Sequence, residues 1–352
     1  GIRLMAYSTI PKGSLYMNTK LYTGNGSTQS ITGVGFQPDM IWQKERSSTS
    51  YHILTDAVRG NTKQLFPNDP SNEATSSLYI TSFDSDGFGQ GQQNDTNESG
   101  QTYASWNWKA NGAGSANTDG SISSTVSVNT TSGFSVVFYT GTGANATVGH
   151  GLGSVPKMII CKNTNTSVNW IVYHNKLDAS APQNKYIELN ASTGLQDYPM
   201  WNDTAPTSSV FSVGSDIATN KSSSPMIAYC FADVQGFSKF SSYIGNGNAD
   251  GPFVYTGFKP AFVIIKASSR TGDWVMYDNK RSVFNIVTKR LNANLNGAED
   301  TDNFLDFCSN GIKIRNTYGS HNTSGETYIY MAFAENPFVA TSGTSAIPVT
   351  AR

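Results

Sequence analysis

The chain has 352 residues, a formal net charge of −1 and only 14% charged residues, while Ser, Thr and Asn number 43, 35 and 32. Those small polar side chains compete with the helical backbone for hydrogen bonds, which excludes a helical bundle or coiled coil. Six Trp, 17 Tyr and 18 Phe exclude a disordered chain, and Lys and Arg (24) do not exceed Asp and Glu (25), so no basic surface is available for nucleic acid.

In chain order, residues 1–20 read as an N-terminal extension, with a strand expected over Ile2–Ile10. The start at Gly1 reads as a processed chain or a piece of a longer one, without a signal-type apolar region. Three similar segments follow. Each opens on Tyr-x-Gly-x-Gly: Tyr22 to Gly26, Tyr139 to Gly143 and Tyr243 to Gly247. Each continues to a proline-led apolar run: Pro38-Asp39-Met40-Ile41-Trp42-Gln43-Lys44, Pro156-Lys157-Met158-Ile159-Ile160-Cys161-Lys162 and Pro260-Ala261-Phe262-Val263-Ile264-Ile265-Lys266. The prolines are 118 and then 104 residues apart, and a Lys falls six residues after each. A second apolar stretch begins at His52, Trp170 and Trp274. An aromatic-rich strand closes each segment, around Trp106, Tyr229 and Met331. Several anchors with gap-free spacing mark an internal repeat.

The apolar runs are short and rich in Ile, Val, Phe and Met, so they read as strands buried on both faces. Proline fixes φ and donates no hydrogen bond, which suits the first residue of a strand. Asp84-Ser85-Asp86-Gly87 and Ser309-Asn310-Gly311 read as hairpin turns. The expected fold is all-β: three tandem β-sandwich, jelly-roll-like repeats over 21–112, 113–235 and 236–340, then an extended tail over 341–352. Segments 111–124 and 236–242 read as connections. Whether the units string out or pack about an axis is left open.

The chemistry is sparse. Tyr328 to Ala334, the longest apolar run, is far below the roughly 20 residues of a membrane-spanning helix. Cys161, Cys230 and Cys308 sit in strand-like runs as buried thiols, a Cys161–Cys230 disulfide being the alternative. His150 lies in a Gly-rich turn without the Lys of a phosphate loop. Asp56, His174 and Asp278 share one repeat position, where strand-end polar roles outweigh a metal cluster. Asp84 and Asp86 lack the remaining ligands of a calcium loop. No catalytic residue, metal or cofactor is expected. Tyr198, Trp201, Asn202 and Asp203, in Tyr198-Pro199-Met200-Trp201-Asn202-Asp203, combine an aromatic face with amide and carboxylate groups. They are the predicted glycan-binding residues, because sugars offer apolar ring faces and polar edges. Trp106 and Trp108 share one strand face, with core packing the favoured role.

Gly35-Phe36-Gln37-Pro38-Asp39-Met40-Ile41-Trp42, Ser82-Phe83-Asp84-Ser85-Asp86-Gly87-Phe88 and Gln101 to Ala110 resemble repeats of tail-fibre-like proteins of marine bacteriophages, notably cyanophages. So do Val148 to Gly153 and Thr327 to Phe338. The resemblance spans about residues 20–340. It implies a non-enzymatic virion protein, outside the cell, in a tail fibre or appendage. Expected partners are other virion proteins and a host-surface glycan, with homo-oligomerisation, as a trimer, by analogy. An architectural head fibre or decoration protein without ligand is the alternative, and a glycan depolymerase the third.

Overall fold

The computed structural model describes residues 8–337, with the backbone of two further strands at Val339–Ser342 and Ser345–Pro348. The protein is all-β, 44% strand and 5% helix, in several sheets consistent with the β-sandwich class. Twelve strands form three central quartets. The first is β1 (Met17–Thr23), β2 (Met40–Glu45), β3 (Ile53–Asp56) and β4 (Thr102–Trp108). The second is β5 (Phe134–Thr140), β6 (Met158–Asn163), β7 (Ile171–His174) and β8 (Pro225–Phe231). The third is β9 (Ser238–Ile244), β10 (Phe258–Ala267), β11 (Val275–Asp278) and β12 (Thr327–Pro337). All three share one antiparallel order, running first, fourth, second, third.

Side-chain alternation explains why β2, β6 and β10 carry apolar residues at both odd and even positions. Met40 and Trp42, Met158 and Ile160, and Phe262 and Ile264 point into one apolar cluster common to all three quartets. The intervening residues point the opposite way, into three separate local cores. Ile41 meets Ile31, Ile80 and Phe88. Ile159 and Cys161 join Val148 and Phe211. Val263 and Ile265 join Val254 and Ile312. Each central sheet is thus closed on one face by its own smaller layer and on the other by its neighbours.

At the centre, Trp108, Phe231 and Phe333 occupy matching register positions, paired with Met40, Met158 and Phe262. Their ring centroids are 6.4, 5.9 and 6.2 Å apart, taken pairwise. Mostly edge-on contacts at this spacing suit the aromatic quadrupole.

The Tyr-x-Gly-x-Gly segments are held by a recurring pin. The hydroxyls of Tyr22, Tyr139 and Tyr243 donate to the carbonyls of Thr96, Thr219 and His321 at 2.8, 2.6 and 2.7 Å. Each carbonyl lies in a four-residue helix that ends on a buried asparagine: Asn97, Asn220 or Asn322. That side chain accepts from the backbone N–H of Asn25, Thr142 or Asn246 and donates back to loop carbonyls. The first glycine must be glycine because a Cβ would lie 2.1 to 2.3 Å from a carbonyl oxygen of the helix side, at Gly24, Gly141 and Gly245. The second has positive φ in each case.

Several expectations need correction. β1 begins at Met17, inside the segment read as an extension, and the strand expected over Ile2–Ile10 lies partly outside the described residues, with no strand over 8–16. The 236–242 connection is largely β9, whose exterior Lys239 and Ser241 hide the alternation around buried Phe240. The 111–124 connection holds a short strand at Ser115–Asn117. Pro260 lies within β10 at a bulge rather than at its start. Part of the 341–352 tail pairs as a hairpin with Val339–Ser342, and the rest lies outside the described residues. The two hairpin turns are formed, between Asp84 and Gly87 and between Cys308 and Gly311. The cysteines are free thiols, so the Cys161–Cys230 bond is absent.

Because the central rings serve all three quartets, Trp108→Ala should lower unfolding free energy by about 3–5 kcal/mol. Tyr198→Ala, at an exposed ring, should stay within about 0.5 kcal/mol. Urea titration measures both, and a Trp108→Ala loss below about 1 kcal/mol would contradict the shared core.

Candidate functional site

The predicted sugar-binding residues do not form one surface. Trp201 is 2% exposed and packs edge-on to Tyr173 at 5.9 Å, in a core with Phe211. Asn202 and Asp203 follow it in a left-handed turn, with φ of 50° and 47°. Tyr198 stays half-exposed. Trp201 therefore presents no free ring face to a ligand, and the corresponding loop is a packing device. Trp106 and Trp108 are likewise buried.

Asp56, His174 and Asp278 do not converge either. Each meets the next quartet, and the contacts run in one rotational sense. The Tyr229 hydroxyl donates to Asp56 Oδ2 at 2.7 Å. His174 Nε2 lies 3.2 Å from the Tyr330 carbonyl oxygen, and Trp106 Nε1 donates to Asp278 Oδ2 at 3.1 Å. Three residues further on, Arg59 pairs with Asp56 and Glu73, and Arg281 with Asp278 and Glu299. The second quartet has Leu177 at that place, in the apolar cluster. The difference has a cause in register. Trp106, Tyr229 and Met331 occupy matching positions opposite Trp42, Ile160 and Ile264. Trp106 and Tyr229 offer a donor, and face Asp. Met331 offers none, and the facing side is His174 bonded to backbone.

A second set of contacts closes the opposite way. Trp170 Nε1 donates to the Phe66 carbonyl at 2.9 Å and Trp274 Nε1 to that of Glu188 at 2.8 Å. His52 Nε2 lies 3.1 Å from the Asn292 oxygen. The repeated lysines sit beside these seams, fully buried. Lys162 Nζ donates to Pro70 and Val168 carbonyls, and Lys266 Nζ to those of Ser192, Thr193 and Gly272. Lys44 donates to the Glu45 carbonyl at 2.6 Å. Burial pushes all three ammonium groups down to about 8. An ammonium has three donors to place, and carbonyls accept them where water cannot reach.

The four histidines are also committed. Nδ1 of His52 accepts from the Trp42 indole, Nδ1 of His150 from Leu152 N–H and Nδ1 of His174 from Lys176 N–H. Their Nε2 atoms face carbonyls, which fixes a neutral tautomer with Nε2 protonated. His321 lies between the Tyr277 hydroxyl and Asn316 Oδ1. Burial lowers His174 to about 4 and His321 to about 3. Among the described residues no group of three or more His, Cys, Asp or Glu is placed to hold a metal. The Asp86 carboxylate accepts from Gly33 and Gly35 N–H at 2.9 and 2.7 Å, so it ties the hairpin turn to the loop after the strand at Gln29–Thr32.

A family model matches residues 12–337, from the turn before β1 to the end of β12. The chain belongs to the family described as domain of unknown function (DUF7483). No curated protein and no solved structure matches it. The matched span takes in all three quartets and every seam between them.

Two of the surface hollows among the described residues lie outside this framework. One, of about 460 Å³, is lined by Lys259, Lys280, Phe284 and Glu335 among others. The other, of about 480 Å³, is lined by Asp233, Gln235, Lys239 and Tyr255 among others. The sequence reading passed over both. It also passed over the pinning asparagines, although Asn-x-Ser followed by Gly or Ser recurs at Asn97, Asn220 and Asn322, five residues before each closing strand begins to pair.

The histidines set an acid limit. With folded values near 4 and 3 against about 6.5 unfolded, the unfolded chain binds protons that the folded chain refuses, so stability falls as pH drops from 6.5 towards 4. Each such histidine contributes about 1.4 kcal/mol per pH unit there. The urea midpoint should fall across this window, less steeply in His174→Gln. A midpoint independent of pH between 6.5 and 4 would refute it.

Proposed function

We propose that the chain is a non-enzymatic structural protein of a bacteriophage virion, carried in a tail fibre or appendage, in which three copies of one β-sandwich unit close into a rigid block that recognises a host-surface glycan. The observation that carries this reading is the use made of the buried reactive groups. His52, Asp56, Lys162, His174, Lys266 and Asp278 each make a hydrogen bond across a seam. Groups used in this way hold units together and are not free for proton transfer. The common register, the matching pins and the meeting of Trp108, Phe231 and Phe333 support three units related by a pseudo-threefold axis.

A pseudo-trimer within one chain suits an appendage. Threefold symmetry normally requires three chains and depends on their concentration, whereas covalent linkage makes association intramolecular. The composition supports exposure outside a cell: few charges, with Ser, Thr, Asn and Gly in turns and on outer faces. The phage assignment rests on the sequence resemblance. Recognition rests on exposed aromatic and amide groups, which bind sugar faces and hydroxyls.

Immunogold labelling of purified phage particles with antibody to this chain tests the location. Gold on a tail fibre or appendage is expected. Gold confined to the head would favour an architectural decoration protein, and absence from particles would overturn the virion assignment. Incubation with host polysaccharide should release no new reducing ends, and their release would make the protein a depolymerase.

A further inference from the structure

The three local layers include three matching short strands. Ile31, Val148 and Val254 are their inward residues, opposite Phe88, Phe211 and Ile312. In the first the flanking residues are Ser30 and Thr32, and in the second Thr147 and Gly149. In the third they are Phe253 and Tyr255, 48% and 62% exposed. Two residues apart on a strand, they share its outer face, about 7 Å apart. The strand Phe253–Tyr255 is the last in its eight-strand sheet. The framework is built twice without aromatics here, so folding does not require them.

We propose that this edge is a saccharide-binding site, with Tyr255 as the stacking platform and Phe253 extending it. The inference rests on the glycan-recognition reading and gives it a place. Beside Tyr255 the 480 Å³ hollow supplies polar groups with capacity to spare. The Gln235 carboxamide bonds to no described residue. Asp233 Oδ1 accepts from Phe240 N–H at 2.8 Å, while Oδ2 is 4.0 Å from Lys239 Nζ, beyond hydrogen-bond length. A carboxylate, an amide and an ammonium next to an exposed ring are the donors and acceptors that a pyranose offers partners for, with its C–H face on the ring. The hollow's volume lies in the range of small-molecule sites.

The site is also pre-organised. Tyr330 donates its hydroxyl to the Tyr255 carbonyl at 3.2 Å. Thr256 donates to the Phe258 carbonyl at 2.6 Å, and its N–H bonds the Asn310 carbonyl at 3.0 Å. Gly311 lies opposite Tyr255, and a Cβ there would come within 2.6 Å of the Phe253 ring. The missing side chain lets that ring lie across the hairpin. Less ordering is then left to oppose binding.

The test is saturation-transfer NMR on the full chain with the methyl pyranosides of glucose, galactose, mannose and N-acetylglucosamine and with purified host-surface polysaccharide. Transfer to sugar ring C–H protons is expected. It should weaken at least about tenfold in Tyr255→Ser, the loss of one stacked ring, and persist in Tyr198→Ala. The urea midpoint of Tyr255→Ser should match the parent, which separates lost contact from lost fold. Binding that survives both Tyr255→Ser and Phe253→Ser overturns this site while leaving recognition intact elsewhere. No transfer from any saccharide overturns recognition as well, and leaves the virion assignment to the labelling experiment.

Discussion

Trp108, Phe231 and Phe333 meet where three sheets have no other way to hide an apolar face. Each ring comes from a strand whose opposite face is already covered by its own layer. A sheet of this kind is insoluble alone, because it carries apolar residues on both sides. The three sheets solve the problem mutually, and the alternation along β4, β8 and β12 decides which residues do so. Everything else in the fold follows from keeping those three faces in register: the pins that fix the ends of β1, β5 and β9, the seams, and the buried lysines.

The seams show how register is held. Apolar contact is non-directional and tolerates slippage, whereas a hydrogen bond between named groups does not. Asp56 with Arg59 accepts from Tyr229, and Asp278 with Arg281 accepts from Trp106. The third seam lacks a donor, since Met331 stands there, and Asp and Arg are replaced by His174 and Leu177. Removing one partner of a buried ion pair is costly, and here neither Asp nor Arg stands at the third seam. The His174 seam therefore differs in kind from the two Asp–Arg seams.

Much of the framework was legible in the sequence. The Pro-led runs are strands buried on both faces because β-branched and aromatic residues fill both parities, and Tyr-x-Gly-x-Gly marked the start of each repeat, though the close approach at its first glycine emerges only in the fold. The lysines six residues after the prolines were visible, but their burial was not, since a lysine in sequence reads as solvated. β9 was missed because Ser238, Ser241 and Ser242 look like a linker. Trp201 was misplaced because an aromatic between polar residues looks identical whether the turn sends it outward or inward. Here the ring packs inward against Tyr173 and Phe211, partners that are distant in sequence. The outer edge at Phe253 and Tyr255 was overlooked for a related reason: its exposure emerges only when three strands far apart in sequence are set in common register.

The central claim is that the three quartets stand or fall together around one shared core. Native-state amide hydrogen exchange in a urea series tests it most directly. Amides of β2, β6 and β10 should merge onto a single isotherm, with one opening free energy and the slope of global unfolding. A quartet that opens on its own isotherm, with a smaller slope and lower free energy, would contradict the account.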